Sequence, residues 1–174
     1  MTIDNLKTML VHVFKDAGLL KCPRCYQDFR FISAVFAGPV ALWFIHGWVP
    51  VFSSGLVVTW YLLISILIWQ PLIEELLFRG IIQGQFAKYK WGQPVILKFT
   101  VANIATSVLF AGMHMLHSSP MWSLMIFLPS LLYGYFRDEF KSVYPSMVLH
   151  SSYNFMVIIG LILNGNVDMS SLVR

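Results

Sequence analysis

The sequence predicts an all-α protein, a polytopic transmembrane helical bundle of about five spans preceded by an N-terminal amphipathic helix. Three observations predict it. Apolar residues make up 57% of the 174-residue chain and charged residues only 11%, too few to cover the surface of a soluble domain of this size; mean hydropathy is +0.70. The apolar residues gather in runs that approach the ~20 residues a helix needs to cross the hydrocarbon core. The basic residues sit in the connections between those runs.

Residues 3–20 alternate apolar and polar at helical spacing through Leu6, Leu10, Val13 and Phe14, the pattern of a helix lying at a membrane surface. Residues 21–30 form a charged connector. Residues 1–30 therefore read as a cytoplasmic amphipathic and connector segment and 31–174 as a single transmembrane domain. The first span runs from Phe31 to Val49, with Pro50 at its outer turn. The second helix starts after Ser53-Ser54-Gly55 and stays apolar through Ile73. The third run covers Val95 to Met115, the fourth, which is short, Trp122 to Phe136, and the fifth Val143 to Leu163. The first thirty residues are polar and mixed in charge, unlike a cleavable signal peptide. No internal repeat, low-complexity tract or second domain is expected.

Orientation follows from charge. Lys7, Lys15, Lys21, Arg24 and Arg30 precede the first span. Arg79, Lys88, Lys90 and Lys98 separate the second and third runs, and Arg137 and Lys141 the fourth and fifth. Eleven of the twelve basic residues fall on one side, with Arg174 opposite. By the positive-inside rule the N-terminus is cytoplasmic and the C-terminus outside, in a plasma or inner cell membrane. No soluble segment gathers the basic residues, so the net charge of +4 does not indicate nucleic acid. The expected partners are the lipid bilayer and a membrane-associated protein or peptide. Cys22 and Cys25 form a C-x-x-C, which suits a redox pair or half a zinc site; they read here as two reduced cytoplasmic thiols.

Three places put ionisable or strongly polar groups where lipid is expected, which costs several kcal/mol unless they meet partners or a wet cavity. The first is Glu74-Glu75-Leu-Leu-Phe-Arg79-Gly80. On a helix Glu75 and Arg79 share a face and can pair, whereas Glu74 points about 100° away and is left free to act. The second is His114, near the end of the third run. The third is His150-Ser-Ser-Tyr-Asn154, whose i, i+4 spacing puts His150 and Asn154 one turn apart on one face. If the second helix continues past Arg79 to about Lys88, Glu74 lies about 21 Å in from that end and His114 about 24 Å in from Lys98. His150 and Asn154 lie about 13 and 20 Å in from Lys141. One intramembrane cluster then forms. If the helix stops at Ile73, it does not.

At these residues the sequence resembles the CPBP family of intramembrane proteases (CAAX protease and bacteriocin-processing, also called Abi). The pattern E-E-x-x-x-R, F-x-x-x-H, H-x-x-x-N stands as Glu74-Glu75-x-x-x-Arg79, Phe110-x-x-x-His114 and His150-x-x-x-Asn154. The order matches, and Phe78 and Gly80 complete the F-R-G flank. The chain is shorter than the prenyl-protein proteases of eukaryotes and archaea, which weakens transfer of their substrate. The resemblance implies a glutamic-type endopeptidase. Glu74 would activate a water that attacks a peptide bond of a membrane-anchored or lipidated substrate, with His114 holding and polarising that water. By the same resemblance His150 and Asn154 would stabilise the oxyanion, and Arg79 would fix Glu75. A carboxylate in a low-dielectric site is a suitable base for a weak nucleophile, and donors aimed at an oxyanion supply a few kcal/mol.

Two alternatives stand beside the metal-free hydrolase. Glu74, His114 and His150 also make a two-His-one-carboxylate set for zinc with a position left for water. A non-catalytic scaffold or immunity protein would use the same polar groups as interhelical glue. Prenylated C-termini, bacteriocin leaders and the tails of sorted surface proteins all remain open as substrates.

Overall fold

A computed structural model describes residues 15, 17–19, 22, 24–46, 56–163 and 167–168. Nearly all of the amphipathic helix expected over residues 3–20, and the outer end of the first span, lie outside the described residues. Five longer helices carry the described chain: α1 Phe29–His46, α2 Trp60–Phe86, α3 Val101–His114, α4 Pro120–Phe140 and α5 Tyr144–Leu163. Two strand pairs of two residues each accompany them. β1 Leu56–Val57 runs parallel to β4 Val167–Asp168, and β2 Val95–Ile96 antiparallel to β3 Phe99–Thr100.

Local chemistry sets the helix ends. Thr59, Thr100 and Ser119 precede α2, α3 and α4, and their hydroxyls accept from the N–H groups of Leu62, Asn103 and Trp122, satisfying donors that a helix start leaves over. The Ser119 cap and Pro120 start α4 earlier than hydropathy suggests, and Lys141, left-handed at φ 53°, ends it. α4 is therefore 21 residues long, longer than the expected Trp122–Phe136.

The third apolar run is not one helix from Val95 to Met115. Its first six residues form the β2–β3 hairpin, and α3 begins only at Val101. Pro94 has no N–H to give a helix; its carbonyl accepts from Val101 N–H at 2.9 Å and closes the hairpin's base. Leu97 and Lys98 at the tip both have positive φ, 49° and 76°, at about 1–2 kcal/mol per non-glycine residue. An apolar run does not by itself separate strand from helix.

α2 is continuous from Trp60 to Phe86, so the helix does not stop at Ile73. Two stretches of it, Ser65–Trp69 and Leu76–Ile82, have the wider π turn. Residues four apart drift by about 40° on an α-helix; the wider turns offset that drift. Pro71, Glu75, Arg79 and Gln83 consequently form one buried stripe, while Ile73, Leu77 and Ile81 are exposed. A soluble amphipathic helix has the opposite arrangement.

The same inversion holds across the molecule. Glu75, Arg79, Gln83, Asn103, Thr106, Ser107, Ser130 and Ser146 have no exposed surface, whereas Ile64, Ile68, Val108, Leu124, Leu128 and Phe155 face outward. Their outer solvent is lipid, and polar groups turn inward to satisfy one another. α2 and α5 are each long and apolar enough to cross a bilayer. α3, at 14 residues, covers about 21 Å of the ~30 Å core.

α1 packs on α5, α3 on α4, and α4 on α5, with α2 lying along α5. Phe31, Tyr133, Phe136, Leu149 and Tyr153 make the apolar core between α1, α4 and α5. α2, α3 and α4 meet at Gly134. Gln83 Nε2 donates to the Gly134 carbonyl at 3.0 Å, and Asn103 Nδ2 to that of Leu131 at 2.9 Å. A Cβ on Gly134 would run into Asn103 Oδ1. Gly134→Ala should therefore lower stability by about 1–3 kcal/mol, read as thermal unfolding in detergent. Gly112→Ala, where a Cβ meets nothing within 4 Å, should be neutral or stabilising. Equal melting temperatures for the two variants would refute this account of the junction.

Candidate active site

Glu75 and Arg79 form the base of the site. Both are fully buried, with Arg79 Nε 3.3 Å from Glu75 Oε2. Arg79 Nη2 donates to Ser130 of α4 twice, to its carbonyl at 3.1 Å and its hydroxyl at 2.8 Å. The guanidinium carbon lies 4.5 Å from the centroid of the Phe110 ring, a cation–π contact that holds a charge where water is excluded. The other oxygen of Glu75, Oε1, is 2.9 Å from His150 Nδ1. One carboxylate thus joins α2, through Arg79, to α5.

That bond orients His150. A carboxylate only accepts, so Nδ1 carries hydrogen and Nε2 is turned towards Glu74, whose Oε2 stands 3.8 Å away. The imidazole is stacked on Tyr133 at 5.2 Å and 19° and meets the edge of Phe110 at 5.8 Å and 79°. Glu74 differs sharply from its neighbour. Its side chain is 31% exposed against 0% for Glu75, and it lines a cavity of about 300 Å³.

His114 and Asn154 line the same cavity, with Gln70 one turn before Glu74. His114 Nδ1 is 2.9 Å from the Phe110 carbonyl. A carbonyl accepts, so Nδ1 donates and Nε2 keeps its lone pair. Asn154 Nδ2 donates to the Ile66 carbonyl at 2.9 Å. The reason is local to α2. In the π stretch the Gln70 N–H goes to Ser65 rather than Ile66, and the next donor position is Pro71, which has none. Asn154 supplies the missing donor and keeps its second N–H. The remaining wall is largely apolar, including Leu62, Met125, Val157 and Leu161.

The model of a protein family described as type II CAAX prenyl endopeptidase Rce1-like matches residues 55–156, more than half the chain and all of the site's polar residues named above. The chain belongs to that family. The Rce1-like match bears out the resemblance read from the three motifs. A similar protein is the UPF0177 protein YbdI of Lactococcus lactis subsp. lactis (strain IL1403), 29% identical over 109 residues. That alignment takes in 62% of this chain and 53% of the relative, so the chain spans about half the length of the curated relative it matches. No solved structure matches it.

Within this Rce1-like chain the six residues singled out by sequence occupy one region. Glu75 contacts both Arg79 and His150, Glu74 faces His150, and His114 and Asn154 line the same cavity as Glu74. Glu75 holds His150 as well as Arg79, a pairing that helical spacing within one segment does not reveal. Ser130, Tyr133 and Gln70 escaped sequence reasoning. Gln70 carried a signal, lying four residues before Glu74 among apolar neighbours; Ser130 and Tyr133 look like ordinary residues of an apolar helix. Cys22 and Cys25 are free thiols that do not line the cavity. Burial pushes the Cys25 thiol up to about 12, and its Sγ donates to the Cys22 carbonyl.

Asn154→Ala should leave the Ile66 carbonyl without a donor and lower stability by about 1–3 kcal/mol. Pro71→Ala restores a backbone N–H, so the same replacement in that background should cost less than half as much. Thermal unfolding of both singles and the double measures the coupling. Additive losses would mean that Asn154 does not serve that carbonyl.

Proposed function

We propose that the protein is an intramembrane endopeptidase of glutamic type in which Glu74 activates water. The observation that carries the reading is the division of labour between adjacent carboxylates. Glu75 is consumed by Arg79 and His150, while Glu74 opens on the cavity beside His150 Nε2. Glu74 would take a proton from water as the oxygen attacks the scissile carbonyl carbon, and later deliver it to the leaving amine. His114, accepting at Nε2, would orient that water. The second N–H of Asn154 and, with His150 protonated on both ring nitrogens, its Nε2–H would hold the oxyanion. The apolar wall suits a substrate that arrives through the bilayer, membrane-anchored or lipidated. The family description makes a prenylated C-terminus the first to try.

Membrane topology belongs to the same proposal: five crossings with a cytoplasmic N-terminus, supported by the position of the basic residues.

A zinc site on Glu74, His114 and His150 is the second reading. In its favour, each histidine uses Nδ1 on a carboxylate or carbonyl, as metal-bound histidines do. Against it, among the described residues no three His, Cys, Asp or Glu side chains are grouped to hold a metal ion. We favour the metal-free site. Stoichiometric zinc whose removal abolishes cleavage would reverse that choice.

Glu74→Gln keeps the shape and removes the base. It should cut cleavage of a prenylated peptide, or of host substrates mapped by their new termini, by 10²-fold or more with melting unchanged. Glu75→Gln should lower stability by about 3–5 kcal/mol, because it strands Arg79. His114→Ala should lose activity with little change in melting. Wild-type cleavage by Glu74→Gln would take the role of base away from Glu74, and absence of cleavage by the wild-type protein itself would leave a non-catalytic scaffold as the reading.

A further inference from the structure

We infer that the β2–β3 hairpin between α2 and α3 is a lipid-binding element that enters the headgroup layer of an anionic leaflet. Several observations converge on it. Val95, Ile96 and Leu97 are 64%, 53% and 87% exposed, although an apolar tip on a connection between helices has no reason to face water. Tyr89 and Trp91, both exposed, stack on one another at 6.3 Å and 11° just before the hairpin. Such amphipathic rings collect at the membrane–water boundary.

Charge gives the occupant. Lys90 precedes the hairpin by five residues and Lys98 sits at its tip, and the sequence contains no acidic residue from Leu76 to Arg137. The acid at the hairpin's base, Asp138, accepts from Thr100 at 2.6 Å and pairs with Arg137 at 3.0 Å, so its charge is already met. An apolar tip with basic residues at and before it matches an acyl boundary beneath anionic headgroups.

The element is built to keep its shape. Gly92 sits so close to the Phe86 carbonyl at the end of α2 that a Cβ would collide with it, and Val101 N–H closes the base on Pro94. The tip holds two non-glycine residues at positive φ. Asparagine or glycine would relax that backbone, but would remove the apolar side chain from the most exposed position. Glu74 lies twelve residues up α2 from Phe86, about 18 Å along the axis. A hairpin fixed at the headgroups would therefore set the depth at which the cavity sits.

The test uses the full chain in nanodiscs of phosphatidylcholine containing brominated phosphatidylglycerol or, separately, brominated phosphatidylcholine. Trp91 quenching is read as the difference between wild type and Trp91→Phe. Phosphatidylglycerol should half-quench at a lower mole fraction than phosphatidylcholine. Each of Lys90→Gln and Lys98→Gln should shrink that preference about fivefold. Leu97→Asn should melt no lower than wild type, since it suits the turn, yet weaken quenching by both lipids. Equal quenching by the two lipids, unaffected by the lysine changes, would overturn the anionic preference. Shielding of Trp91 from both lipids, with cross-linking of two chains through Leu97→Cys, would assign the hairpin to a second copy instead. Cleavage activity enters none of these readouts, so the outcome is independent of the proposed chemistry.

Discussion

Backbone carbonyls that α2 cannot satisfy within its own turns decide where its neighbours stand. In a bilayer no water is at hand for a carbonyl without a donor, so another helix must supply one. Each π stretch frees one such group. Gln70 N–H goes to Ser65, and Asn154 of α5 serves Ile66; Gln83 N–H goes to Phe78, and Arg137 of α4 serves Arg79 at 3.0 Å. Two backbone irregularities in one helix thus become two fixed attachment points, one on each flanking helix. π turns are frequent at functional sites, and here they also carry the buried stripe from Pro71 to Gln83 along a single face.

Between those attachment points the ionic contacts are placed without freedom. Glu75 has one oxygen for Arg79 and one for His150, Arg79 is held by Ser130, and the imidazole lies between Tyr133 and Phe110. Burying this set costs several kcal/mol per ion unless partners offset it, and each member is another member's partner. Pre-organisation of this kind is what the proposed general base and oxyanion donors would require. Glu74 stands outside the set, on the cavity side.

Much of this was legible in the sequence. The inversion of polar and apolar residues follows from hydropathy together with six polar residues at helical spacings, and those six do come to one region. The pairing of Glu75 with Arg79 needed only the i, i+4 rule. Contacts between segments were not legible. Nothing in one chain says that Glu75 reaches His150, or that Asn154 serves a carbonyl displaced by Pro71, because each depends on which faces of two distant segments meet. The hairpin at Val95–Thr100 was hidden for another reason: its apolar residues continue the hydropathy of α3, and its turn uses Leu97 and Lys98 where Asn-Gly would have signalled it.

Tyr153 gives the cavity a mechanical partner. Its hydroxyl reaches across to α1, donating to the Ala34 carbonyl at 3.2 Å and lying hard against Gly38. Its ring is part of the cavity wall. One side chain therefore takes part both in the seat of α1 on α5 and in the wall of the cavity. Any change in the crossing angle of these two helices must either break that hydrogen bond or draw the ring along, so α1 and the cavity wall are geared together.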